Sequence, residues 1–256
     1  MFRHAIVRPP GPNFADGLTT VDLGKPSFER ALAQHELYCQ ALAECGVALT
    51  RLSADLRHPD STFVEDAAVL TARGAILTRP GAASRAGEVA SIEAALAPFF
   101  PTFERIVSPG TLDGGDICEA GDHYFIGVSR RTNEEGARQL ARLLAWKGFT
   151  SALIDIGGIE TILHLKSGIA WLSPRTLVVI DALAADPALA GWDLLPVDAA
   201  EAYAANCVRV NDAVLLAAGF PRLEKTVQAL GLRTIALDMS EFQKMDGGLS
   251  CLSLRF

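Results

Sequence analysis

Residues 67–81 read AAVLTARGAILTRPG, two short apolar runs that meet at a turn around Ala72-Arg73-Gly74. Runs of this length on either side of a glycine turn predict a β-hairpin. In the following segment, Ser84 to Leu96, apolar side chains recur at helical spacing. The stretch therefore predicts a compact unit of two strands followed by a helix.

The same unit recurs along the chain. Residues 117–127, ICEAGDHYFIG, turn at Gly121-Asp122, and residues 133–148 then form a helical pattern that Asn133 caps at its start and Gly148 at its end. Weaker copies pair Gly168–Leu172 with Thr176–Ile180, and turn at Asn211-Asp212 before a helix near Pro221. Repetition at irregular intervals of this length is compatible with diverged structural repeats.

The opening segment resembles a further, degenerate unit. It offers a strand over Phe2 to Val7, a helix from about Ser27 to Cys45 capped by Gly46, and a strand near Val47 to Leu52. Together these patterns predict about five α/β units around a shared axis, in one domain spanning residues 1–256. Periodicity alone leaves a second interpretation open, an ordinary α/β sheet domain whose hairpins look alike by chance.

Composition narrows the classes of function. The 256 residues carry 23 Lys and Arg against 30 Asp and Glu, a net charge of −7, with no basic cluster. This balance argues against nucleic-acid binding and suits a small cationic ligand. No apolar run approaches the roughly 20 residues that cross a membrane, and the opening MFRHAIVRPP does not read as a secretory signal, so we expect a cytoplasmic protein. Five cysteines without a CxxC pair argue against disulfides and structural zinc.

Polar residues stand directly before several of the hairpins. Asp60, Glu65 and Asp66 precede the apolar run at residues 67–71, and buried carboxylates need a cation or several donors. The planar N–H fork of a guanidinium would satisfy all three. The alternative to a ligand site is a purely structural role. The three carboxylates would then form an exposed acidic turn, or a pair of them would bind one of the protein's own arginines.

Three more positions carry reactive or titratable groups. Asp113 opens the segment DGGD (113–116), whose glycines let the backbone approach a ligand closely, although the segment also fits a plain turn. His164 stands between two leucines, as a buried core histidine often does. Cys251 follows the loop DGGLS (246–250), which would deliver a thiol at the start of a strand. The other four cysteines lie in apolar patterns typical of small core residues.

Taken together, these stretches resemble the dimethylarginine dimethylaminohydrolases, members of the guanidino-group-modifying (pentein) superfamily with a five-bladed α/β-propeller fold. The resemblance covers nearly the whole chain. It is carried by DGLT (16–19), PDSTFVEDAAV (59–69), RPGAASRAGE (79–88), TLDGGD (111–116), YFIGVSRRTNEEGA (124–137), LHLKSG (163–168), AANC (204–207) and DGGLSCLS (246–253).

The resemblance implies a role for each matching residue. Cys251 would be the nucleophile, His164 the general acid and base, and Asp113 the carboxylate that orients His164. Asp60, Glu65 and Asp66 would grip the guanidinium, Arg85 and Arg131 would bind the α-carboxylate, and Leu18 would belong to a loop that closes the pocket. The family needs no metal or organic cofactor. The resemblance implies a methylated arginine as the substrate, and we expect a monomer or a homodimer.

Related chemistries stay open at this point. Arginine deimination and the hydrolysis of citrulline to ornithine would use the same Cys/His/Asp set. A non-catalytic ribosome-binding propeller is a third hypothesis, which would call for a basic surface in place of this acidic chain.

Overall fold

The computed structural model describes all residues, 1–256, as five three-stranded β-sheets arranged in a ring. The strands are β1 (His4–Val7), β2 (Ala48–Arg51), β3 (Ala68–Thr71), β4 (Gly74–Leu77), β5 (Phe103–Arg105), β6 (Ile117–Ala120), β7 (His123–Val128), β8 (Thr150–Asp155), β9 (Ile169–Ser173), β10 (Thr176–Ile180), β11 (Asp193–Val197), β12 (Val208–Val210), β13 (Ala213–Ala217), β14 (Arg233–Leu237) and β15 (Ser253–Arg255). The helices are α1 (Phe28–Glu44), α2 (Glu88–Leu96), α3 (Glu134–Trp146), α4 (Pro221–Ala229) and α5 (Ser240–Gln243).

All five sheets share one topology. In each, the middle strand is antiparallel to one neighbour, its hairpin partner in four of the sheets, and parallel to the other. The fifth sheet joins the two ends of the chain, because β1 pairs with β15 on one side and β2 on the other. Its register sets Ala5 opposite Arg255. The predicted five-bladed α/β propeller is thereby confirmed.

The helix ends follow the capping signals of the sequence. Ser27 accepts a hydrogen bond from the Arg30 N–H at the start of α1, and Asn133 accepts one from the Gly136 N–H at the start of α3. Gly148 follows α3 with φ of +81°, a conformation that L-residues with a Cβ rarely adopt. None of the helices combines the length and the apolar character that crossing a bilayer requires.

The structure differs from the prediction in two respects. The helix expected from Ser84 begins only at Glu88, because residues 83–85 form a separate 3-10 turn that turns the Arg85 side chain inward. The outermost strands β5, β8, β11 and β14 were not predicted. They are short and largely half-exposed, so they lack the apolar runs that mark the central strands.

Apolar packing lies between the sheets and helices. Two clusters of 23 buried residues each fill the spaces around β1 and α1 and around β9 and β10, and β13 contributes side chains to both. The buried polar residues of the predicted site stand in or next to short 3-10 turns: Asp60, Glu65, Asp66, Asp113 and His164. The polar residues that precede the hairpins can therefore meet near the axis of the ring.

Candidate active site

Cys251 lies in a 3-10 turn, Ser250–Leu252, that leads into β15. Its N–H donates to the Gly248 carbonyl at 3.2 Å. The Asn206 side chain holds the turn from behind, since its Oδ1 accepts from the Ser250 N–H at 2.9 Å and its Nδ2 donates to Ser250 Oγ at 3.2 Å. Cys251 is buried, at 9% exposure, and lines a small pocket.

His164 lines the same pocket, from an extended residue just before a 3-10 turn and not from a strand. Its Nε2 lies 3.1 Å from Asp113 Oδ2. The other oxygen of Asp113 accepts from the Gly81 N–H at 2.8 Å, and Asp116 accepts from the Leu165 N–H at 3.0 Å. Both aspartates of the DGGD segment therefore hold the loop that carries the imidazole.

Two carboxylates face the thiol and the imidazole from the chain before β3. Asp60 accepts from the Leu18 N–H at 3.0 Å, and Asp66 accepts from the Gly115 N–H at 2.8 Å. Gly115 is required for this approach. A Cβ at this position would lie 2.8 Å from both Asp66 Oδ1 and His164 Nδ1.

The two arginines predicted to bind the α-carboxylate both line the pocket, but they differ in burial and in the number of their hydrogen-bond partners. Arg85 is buried, and its nitrogens are bound by Asp66, by Glu88 at 2.7–3.2 Å and by two backbone carbonyls. Arg131 is more open, and its Nη1 has no hydrogen-bond partner and lies 3.7 Å from Asp113. Arg131 is therefore the better placed of the two to receive an anion.

Glu65 differs from the other predicted residues, because it does not line this pocket. Its carboxylate is bound by Lys166 Nζ and accepts from Ser250 Oγ at 2.8 Å. It faces a larger cavity of about 670 Å³ that also exposes Lys166 and Ser250. The structure thus separates Glu65 from Asp66, although the two are neighbours in sequence.

Two further segments line the pocket. Leu18 belongs to one of them and Met245, Asp246 and Gly247 to the other, and the pocket has a volume of about 20 Å³. Met245 and Asp246 are pocket residues that the sequence patterns do not predict. Asp246 opens the DGGLS stretch and its signal could have been followed, whereas nothing in the sequence marks Met245.

Burial and nearby charges shift the pKa of two groups in the pocket, Cys251 and His164. Burial, followed by the negative charges of Glu65 and Asp66, raises the pKa of the Cys251 thiol well above its usual range. Burial opposes a charged imidazole at His164, but Asp66, Asp116 and Asp113 outweigh it and raise the pKa of His164 to about 9. At neutral pH the free protein therefore holds a neutral thiol beside an imidazolium.

Asp66, Asp113 and His164 are the group with the spacing of a metal site, with one ligand atom from each within 4.8 Å of the others. Each of the three already has a protein partner. Asp66 binds Arg85, and His164 Nε2 faces Asp113. An ion there would have to displace a buried arginine, which leaves an unpaired charge in the interior.

The ring of five sheets around a pocket that joins a thiol, an imidazole and carboxylates defines an enzyme of the pentein class, a hydrolase of amidine-type bonds. The chain is 45% identical to the N(G),N(G)-dimethylarginine dimethylaminohydrolase of Pseudomonas aeruginosa over 100% of both chains. It is 35% identical to the enzyme of the same name from Streptomyces coelicolor, over 99% of this chain and 96% of the relative. This chain belongs to the dimethylarginine dimethylaminohydrolase family.

Solved structures agree with this assignment. A cysteine-to-serine variant of the Pseudomonas enzyme in complex with citrulline superposes over 100% of both chains with a TM-score of 0.96 at 45% identity. The same values hold for a histidine-to-glycine variant captured as an adduct with S-methyl-L-thiocitrulline. The N-terminal domain of the cyanobacterial arginine dihydrolase ArgZ shares the fold, with a TM-score of 0.86 at 20% identity over 98% of this chain and 96% of that one. A search against family models returned no match.

Proposed function

We propose that the protein hydrolyses Nω,Nω-dimethyl-L-arginine or Nω-methyl-L-arginine to L-citrulline and dimethylamine or methylamine. The observation that carries this proposal is one pocket that exposes Cys251 and His164 together with the carboxylates of Asp60 and Asp66. The full-length identity to the Pseudomonas enzyme of that name supports it.

Binding would use charge at both ends of the substrate. Asp66 and Asp60 keep lone pairs free beyond those that their N–H and arginine partners use, so they can accept the N–H groups of a guanidinium. Arg131 would bind the α-carboxylate, and Arg85 would add positive charge from its place beside Asp66. Leu18 would complete the closed pocket over the bound substrate.

The bound cation would ionise the nucleophile. A positive charge close to a buried thiol lowers its pKa, so docking of the guanidinium would release the thiol proton to water. The Cys251 thiolate would then attack the guanidinium carbon and form a C–S bond, and one C=N electron pair would move to nitrogen. The two carboxylates would hold the planar group in position for this attack.

His164 would act first as an acid and then as a base. As the imidazolium it would give its proton to the methylated nitrogen, the C–N bond would break, and a thiouronium would remain on Cys251. The neutral imidazole would then take a proton from water as the water adds to the same carbon. As the C–S bond breaks, the proton of the added hydroxyl would pass to the departing sulfur, which restores the Cys251 thiol and releases neutral citrulline.

A substrate panel tests the proposal. The purified protein would be assayed with dimethylarginine, monomethylarginine, arginine and citrulline, with citrulline, ornithine and the released amine as readouts. We expect citrulline and amine from the methylated substrates. Citrulline from arginine alone would favour a deiminase, and ornithine from citrulline would favour a citrulline hydrolase.

Two cysteine variants assign the nucleophile. We expect Cys251→Ser to fold and to lose turnover, whereas Cys45→Ser, a change at a buried cysteine outside the pocket, should keep it. Normal turnover by Cys251→Ser would overturn the assignment. The cytoplasmic location and the monomer or homodimer state stay predictions.

A further inference from the structure

Three side chains separate the catalytic pocket from the larger cavity. They are Glu65, Lys166 and Ser250, which line the cavity of about 670 Å³, while their near neighbours Asp66 and Cys251 line the pocket. The side chains of Glu65 and Lys166 are only 5% and 17% exposed. The wall is therefore a largely desolvated ion pair directly behind the thiol.

Hydrogen bonds connect this wall to the sulfur. Lys166 Nζ binds Glu65 Oε1, and Ser250 Oγ donates to Glu65 Oε2 at 2.8 Å. Ser250 Oγ also lies 3.9 Å from Cys251 Sγ. Because Glu65 takes the hydroxyl proton of Ser250, the lone pairs of that oxygen are left for Asn206 and for the thiol.

We propose that Lys166 is a positioning residue for the hydrolysis, because it neutralises Glu65 and thereby allows the Ser250 hydroxyl to turn its proton toward a Cys251 thiolate. This inference rests on the proposed function, since it takes Cys251 as the nucleophile. Without Lys166, Glu65 would keep only Arg255, at 3.6 Å, as a cationic partner. It would then hold the Ser250 proton more tightly and set a less compensated negative charge beside the sulfur. Both effects would oppose the ionisation that attack requires.

The charges around the thiol predict effects of opposite sign for the two partners of the ion pair. The charged or titratable groups near it are Asp60, Glu65, Asp66, Arg85, Asp113, Arg131, His164, Lys166, Tyr203, Asp246 and Arg255. Among these, Glu65 raises the pKa of the Cys251 thiol and Lys166 lowers it. A change that only loosens the structure would not produce this pair of opposite responses.

The test is the rate at which iodoacetamide alkylates Cys251 between pH 6 and 10 in the intact protein, followed by peptide mass spectrometry. The variants are Lys166→Met, Lys166→Arg and Glu65→Gln. We expect Lys166→Met to react about tenfold more slowly at a given pH, the equivalent of about one pKa unit. Glu65→Gln should react faster by a similar factor, and Lys166→Arg should stay close to the parent protein.

Lys147→Met is the matched control. Lys147 is another poorly exposed lysine, at 7%, that pairs with a carboxylate, Glu104, at 2.9 Å, but it lies outside the pocket and its wall. We expect this variant to lower Tm without changing the alkylation of Cys251. Thermal unfolding of every variant would be measured alongside.

The inference is overturned if Lys166→Met leaves the pH dependence of alkylation unchanged, or if both Lys166→Met and Glu65→Gln slow it. Should Lys166→Met fail to fold, Glu65→Gln decides alone, and unchanged alkylation in that variant also overturns the inference. Failure of the proposed function has a separate signature. It would appear as turnover by Cys251→Ser, whatever the pKa of the thiol.

Discussion

The imidazole of His164 is tied to Asp113 through Nε2, at 3.1 Å, and the Gly81 N–H fixes the far oxygen of that carboxylate. Because Nε2 is engaged, Nδ1 is the nitrogen left to exchange protons with substrate and water. Gly115 provides the space beside Nδ1. One aspartate therefore sets both the orientation of the ring and the nitrogen that reacts.

The pH dependence of kcat/KM follows from the order of the two titrations. The reactive form needs a thiolate and an imidazolium, yet in the free protein the thiol has the higher pKa of the two groups. Below about pH 9 each unit of pH gives more thiolate while His164 stays protonated, so kcat/KM should rise about tenfold per unit. Above that pH, the fraction of imidazolium falls as fast as the fraction of thiolate rises, so kcat/KM stays constant.

We therefore expect a rising limb with an inflection near pH 9 and a plateau beyond it, measured by citrulline release at low substrate concentration. A plateau that already begins near neutral pH would contradict this order. The thiol itself supplies an independent control. Alkylation of Cys251 without substrate should keep rising above pH 9, because it does not need the imidazolium.

Replacement of His164 by glycine separates the two halves of the reaction. A substrate such as S-methyl-L-thiocitrulline has a leaving group that needs little protonation, so the covalent adduct on Cys251 should still form. Its hydrolysis should slow by roughly 10²- to 10⁴-fold, the usual contribution of a general base. Mass spectrometry of the intact protein would detect the accumulated adduct, and rapid release of product without accumulation would argue against His164 as the base.

Much of the fold could be predicted because its signals are local. Apolar runs around a glycine turn predict the hairpin β6–β7, and an asparagine cap a few residues later predicts the start of helix α3. The outer strand β14, by contrast, is half-exposed and exists because it pairs in parallel with β13. That pairing is a tertiary event that a local pattern does not encode.

The sequence predicts which residues belong to the site better than it predicts which partners their side chains contact. Glu65 and Asp66 are adjacent in the sequence, which on that basis predicts both at the guanidinium. The structure turns Glu65 toward Lys166 and Ser250, partners 101 and 185 residues away. Arg85 likewise satisfies the alternative that an acidic residue before β3 binds one of the protein's own arginines, because it pairs with Asp66.

Arg131 and its neighbour Arg130 offer a matched test of carboxylate binding. Arg131 lines the pocket and its Nη1 makes no hydrogen bond, whereas Arg130 is exposed and outside the pocket. We expect Arg131→Met to raise KM about 10- to 100-fold, as expected for loss of a charge-assisted hydrogen bond of about 1.5–3 kcal/mol. Arg130→Met should leave KM within about twofold, since an exposed charge interacts weakly. Equal effects of the two changes would remove Arg131 from the binding site.

Asp246 links the segment around Leu18 to the segment that follows Met245. The Asp246 carboxylate accepts from the Thr20 N–H and, at 3.1 Å, from the Thr20 hydroxyl, which ties residues 18–20 to the opposite rim of the pocket. Asp246→Asn keeps the side-chain shape and tolerates the local φ of +56°, but it removes the negative charge from these hydrogen bonds.

We expect Asp246→Asn to speed amide hydrogen exchange at residues 18–20 and to raise KM several-fold. The hydrogen bonds to Thr20 are weakened, so residues 18–20 open more often and part of the binding energy of the substrate is used to order them. Asp22→Asn removes an equal charge from an exposed position on the same segment and should change neither quantity. The two readouts have to move together for the argument to hold. A higher KM with unchanged exchange at Thr20 would mean that Asp246 acts on the substrate directly and that the loop closes without it.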